Sequence, residues 1–170
     1  SVPLRLSSGM RFEHLVQIND PLMPLLTEVS RAQLWRGLVL RAEDPTQFVV
    51  GLVGATIDAR RELSGVTELE RTLDYGTFKV RDRVRLMPEH RTEIRTAAGV
   101  SWPASRMSIT IEEPAPDALF LRFVYEAESE IVGKGDLDEM TVTLRQQAYE
   151  GADLDTVVRI RALAEAGTLG

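Results

Sequence analysis

Four side chains that can donate, accept or carry a proton interrupt stretches that are otherwise apolar at every second position: His14, Arg71, Asp82 and Tyr125. A fifth, Arg61, stands between Ala59 and Leu63 in a similar stretch. An imidazole titrates near pH 6.5, so His14 suits proton transfer if something orients it. A phenol can donate to a carbonyl, and a guanidinium beside a carboxylate is either a buried ion pair or a clamp for the polar end of a ligand. On these faces Arg71 or Arg61 can pair with Asp82. The plain reading is that Arg71 and Asp82 form a structural pair and that Tyr125 hydrogen-bonds at the sheet edge; ligand contact is the sharper one.

Other chemistries find little support. The chain has no cysteine and only two histidines, His14 and His90, far apart in sequence. Disulfides, thiolate nucleophiles and cysteine-ligated zinc are excluded, no metal-ligand spacing is present, and no cofactor is expected. Gly133-Lys134-Gly135-Asp136 precedes a helical pattern and offers backbone N–H groups to a phosphate. It lacks the spacing of a P-loop and follows no buried parallel strand, so it reads as a hinge. Trp102, between Ser101 and Pro103 in a loop, and Met140 on the last helix are candidates for the mouth of a pocket, and Phe123 for its wall.

The elements that must position these groups follow from periodicity. Phe12, His14, Val16 and Ile18 alternate along a first strand that stops at Asn19-Asp20-Pro21. Ser30-Arg31-Ala32-Gln33 is a capping box with a Val29/Leu34 staple, which predicts a helix from Arg31. Asp44-Pro45 ends it and opens a second short helix. Six further strands are expected at 56–63, 67–74, 77–87, 92–97, 104–113 and 118–127, joined by connections short enough to force antiparallel neighbours. Leu137, Met140 and Leu144, then Leu154, Val157, Val158 and Ile160, recur at helical spacing on either side of Gly151. One kinked helix or two successive helices fit, with Asp153 a possible cap for the second.

Strand, two short helices, six-strand meander and long terminal helix is the order of the helix-grip, START-like proteins. The stretches Met10-Arg11-Phe12-Glu13-His14, Gln33 to Glu43 (QLWRGLVLRAE) and Phe120 to Glu126 (FLRFVYE) resemble the AtaL-like branch of the SRPBCC superfamily. The resemblance covers nearly everything after Met10. It implies an α+β fold with a seven-stranded curved antiparallel sheet gripping the terminal helix, and an internal apolar cavity. Relatives in the superfamily bind lipids, steroids or polyketides, and some cyclise or dehydrate polyketides.

Composition agrees with a folded domain: 170 residues, 44% hydrophobic and 27% charged. Residues 1–9 lack a pattern and read as a leader or cloning remnant, and 10–170 as one domain. The net charge of −6, with arginines interleaved among acids, argues against nucleic acid or an anionic membrane as partner. No apolar run reaches the ~18 residues of a membrane span, and a cytoplasmic address is expected by default. The leading expectation is a cavity that binds an apolar small molecule (a lipid, polyketide or aromatic metabolite) through His14, Arg61, Arg71, Asp82, Trp102, Phe123, Tyr125 and Met140. The alternatives are a polyketide cyclase or dehydratase-like enzyme moving protons in that cavity, and an interaction module or homodimer with a filled core.

Overall fold

The computed structural model describes residues 10–128 and 136–170, with side chains for all of these except 136–139 and 141. The leader and the Gly133-Lys134-Gly135 link lie outside the described residues. Seven strands form one antiparallel sheet: β1 (Met10–Gln17), β2 (Gly54–Leu63), β3 (Val66–Asp74), β4 (Lys79–Met87), β5 (Arg91–Thr96), β6 (Ser105–Ala115) and β7 (Ala118–Ala127). Their spatial order is β1-β7-β6-β5-β4-β3-β2, so the first two strands stand at opposite edges. Between them run helix α1 (Arg31–Glu43) and a single 3-10 turn (Pro45–Gln47), and α2 (Asp136–Glu165) closes the chain. This is the expected helix grip, with the second short helix reduced to one turn.

Local chemistry explains the elements. The Ser30 hydroxyl accepts from the Gln33 backbone N–H while the Gln33 side chain accepts from the Ser30 N–H, completing the capping box. Ser64 and Gly65 both adopt positive φ, 52° and 79°, as the tight β2–β3 hairpin requires. Asn19 ends β1 by bonding both backbone groups of Val29, with a further bond from its amide to the Asp117 carbonyl, so the loop that follows is pinned to the β6–β7 turn.

The face toward the helices is built in rows that run across the strands. One row is His14, Phe123, Ile109, Thr92 and Leu86; the next is Phe12, Tyr125, Met107, Ile94, Val84 and Leu69; a third holds Asp82 and Arg71 beside Thr96. The opposite face carries Lys79, Arg81, Arg83 and Arg85, all exposed. Leu34 and Leu38 of α1 and Val157, Ile160 and Ala164 of α2 bury against Val16, Ile109, Leu121 and Phe123. The helices meet at Gly37, where a Cβ would lie 2.8 Å from both Cγ atoms of Ile160.

Three expectations are corrected. Arg61 does not face the interior: a β-bulge between Ile57 and Ala59 reverses the alternation, and Arg61 pairs with Glu68 and Glu70 on the outer face. Met140 is 64% exposed, because it lies two and a half turns ahead of the inward Tyr149 at about 3.6 residues per turn, on the far side of α2. Asp153 caps nothing. Helix α2 runs unbroken through Gly151, whose missing Cβ would meet no atom within 4 Å, and Asp153 sits inside the helix and points into the protein.

Candidate functional site

A cleft opens between the β1/β7 edge of the grip and the middle of α2. Its walls are aromatic and apolar, from Phe12, Met107, Phe123, Tyr125 and Tyr149, and its polar groups include His14, Gln146, Glu150 and Asp153. Three of the residues expected at the pocket, His14, Phe123 and Tyr125, come together here. The enclosed volume is about 20 Å³, room for one water molecule.

Strand alternation turns His14 inward, and one helical turn on α2 places Tyr149 and Asp153 opposite it. His14 Nδ1 lies 3.2 Å from Asp153 Oδ2, a contact that joins residues 139 positions apart. Burial pushes the Asp153 carboxyl up to about 6, while the bond from His14 pulls the other way. Asp153 therefore meets His14 as a carboxyl whose protonated form burial favours, at an apolar wall. Tyr125 and Tyr149 stack with ring centroids 4.2 Å apart, and Phe12 lies 5.3 Å from Tyr149. Burial and a hydrogen bond with Tyr125 raise the Tyr149 phenol, so it stays protonated and can donate.

Deeper in the grip, Arg71 and Asp82 face each other across β3 and β4 and are 3% and 6% exposed. Two nitrogens of Arg71 bind the two oxygens of Asp82 at 2.9 and 2.7 Å, and the third donates to the Ala42 carbonyl at 2.7 Å. Every nitrogen of this guanidinium is satisfied. The pair clamps the end of α1 to the sheet rather than offering itself to a ligand. Trp102 packs within its own loop, its indole N–H donating to the Ala97 carbonyl and its ring 5.7 Å from Phe78, which stacks on Tyr75 at 5.0 Å. It belongs to an aromatic line along the β3–β4 and β5–β6 connections, outside the His14 cleft.

Asp153 and Tyr149 escape a reading by sequence pattern, since each looks like an ordinary polar position of a helix. Arg41 escapes it too; the structure places it inside, with Nε donating to Thr156 Oγ1 at 3.4 Å. Among the described residues no group of three or more histidine, cysteine, aspartate or glutamate side chains could hold a metal ion, and no helix is long and apolar enough to cross a membrane.

A seven-stranded grip around a long terminal helix, with a cleft between them, defines a START-like protein. Residues 16–167 match the family model AtaL, acetylaranotin biosynthesis cluster protein L, and the chain belongs to that family. No curated protein matches it. Solved structures share the fold at low identity. The di-domain aromatase/cyclase StfQ from the steffimycin biosynthetic pathway superposes with a TM-score of 0.66 at 9% identity, over 95% of this chain and 52% of its own, so the chain spans about half of that protein. The Zhui aromatase/cyclase from Streptomyces sp. R1128 gives 0.57 at 14% identity, over 92% and 93%. A START superfamily protein from Mycobacterium smegmatis gives 0.60 at 15%, over 91% and 99%.

Proposed function

We propose that the protein binds an apolar, ring-containing small molecule in the cleft between β1, β7 and α2. The observation that carries this reading is the convergence of aromatic walls and titratable groups: Phe12, Phe123, Tyr125 and Tyr149 surround His14 and Asp153 in one cleft. Flat aromatic side chains gain from stacking on a flat ligand, and a few polar groups then fix its orientation. Phe12, Tyr125 and Tyr149 are only half-buried, and a ligand larger than a water molecule requires the Tyr149 ring to move off Tyr125. The aromatase/cyclase names of two fold neighbours make a polyketide-like ligand the first class to try.

A second reading, proton transfer of the cyclase or dehydratase kind, is favoured by the His14–Asp153 contact. Two titratable groups within hydrogen-bond reach at a desolvated wall are what abstraction of a proton beside a carbonyl needs. In that reading His14 takes the proton, Asp153 orients the imidazole, and the phenol of Tyr149 or Tyr125 donates to the carbonyl oxygen.

Native mass spectrometry of gently purified protein, beside the same sample after organic extraction, tests the binding reading. The expected result is an adduct of discrete mass that extraction removes and that Phe123→Ala weakens. A clean apo mass after incubation with polyketide-like and lipid panels would sink it and turn attention to an interaction role.

A further inference from the structure

Arg41 lies largely inside the protein with only part of its guanidinium engaged among the described residues. It is surrounded by protein, yet part of its surface remains accessible. Among the described residues its only hydrogen bond is the 3.4 Å one to Thr156 Oγ1, and no carboxylate of theirs lies within 4 Å. The carboxylates that feel its charge are already engaged: Asp82 holds Arg71 on both oxygens, and Asp153 lies within hydrogen-bond distance of His14. Burial, and then the like charge of Arg71, depress the Arg41 guanidinium to about 10, so it remains cationic at neutral pH in surroundings that disfavour the charge.

Position connects Arg41 to the cleft. Thr156 follows Asp153 by about one turn of α2, ~5 Å along the helix, and Asp153 lines the cleft. Arg41 is not among the residues that line the cleft, so a ligand whose rings stack between Phe12, Phe123 and Tyr149 meets it only by extending a polar end past Asp153. A guanidinium fork with free nitrogens matches the two oxygens of a carboxylate, and in a desolvated setting such a charge-assisted pair is stronger than a neutral one.

We infer that Arg41 receives the carboxylate of an aromatic or polyketide-derived acid whose apolar body occupies the cleft. The inference rests on the cleft reading above and adds the chemical class of the ligand. Neutral molecules of the same shape then bind through stacking alone.

The test compares 2-naphthoic acid with 2-naphthylmethanol, which differ in charge but little in shape, by isothermal titration calorimetry on wild-type protein and Arg41→Met. The acid is expected to bind wild type at least about tenfold more tightly than the alcohol. Arg41→Met should erase that preference while leaving the alcohol within about twofold. Arg41→Lys, which keeps the charge without the fork, retains part of the preference and serves if the methionine variant fails to fold. Equal binding of acid and alcohol by wild type would overturn the carboxylate assignment and leave the cleft reading standing. An acid preference that survives in Arg41→Met would overturn the role of Arg41. Binding of neither probe would overturn both readings.

Discussion

At the residue scale, the buried acid chemistry has measurable consequences. Asp153 is held near 6 in the folded chain, above the ordinary aspartate value of about 3.9, so folding favours its protonated form. That contribution is present below about pH 4 and is lost as pH rises through about 6. The free energy of unfolding should therefore fall across that window by roughly 1–3 kcal/mol, and thermal midpoints with it. Asp153→Asn, which cannot ionise, should flatten the profile; parallel curves for the two proteins would refute the assignment. The Arg71–Asp82 pair calls for a different experiment. Removing one partner strands a buried charge, and Arg71→Met or Asp82→Asn should each cost about 3–5 kcal/mol in urea denaturation, with the Arg71→Met/Asp82→Leu double variant recovering much of it. A double variant as damaged as the sum of the singles would show that the ion pair is not the source.

At the element scale, the sequence was readable where the signal is local. The Ser30 capping box, the Ser64-Gly65 turn and the alternation of β7 each rest on neighbours within a few residues, and strand limits shifted by no more than two residues. What could not be read depends on distant partners or on a break in period. The bulge between Ile57 and Ala59 carries no glycine or proline to announce it, so simple alternation assigns Arg61 to the wrong face. Asp153 looks like a cap after Gly151 until β1 brings His14 to it, and Arg41 looks like the basic last-turn residue that any helix C-terminus favours. Gly37 offers the sharpest packing test. Alanine there raises helix propensity by about 1 kcal/mol, yet the clash with Ile160 should reverse the sign and destabilise by about 1–3 kcal/mol. Chemical denaturation of Gly37→Ala, and of Gly37→Ala with Ile160→Ala to relieve the crowding, distinguishes packing from propensity: a stabilised single variant would contradict the close approach of α1 and α2.

At the scale of the whole molecule, the sheet order separates what is assembled from neighbours from what is assembled from afar. Strands β2 to β7 pair with their sequence neighbours, whereas β1 reaches across the chain to β7, with Met10 opposite Ala127. One wall of the cleft comes from the local β6–β7 hairpin, but Phe12 and His14 arrive only with that one distant pairing, a contact with a high loop-closure cost. The meander can therefore form while the binding cleft is still missing, and the cleft marks the arrival of β1 and α2. A bound molecule then acts chiefly as a brake on departure. Stopped-flow measurements with a cleft ligand should show unfolding slowed severalfold and refolding of the meander unchanged, whereas faster refolding would mean that the two ends of the chain meet early.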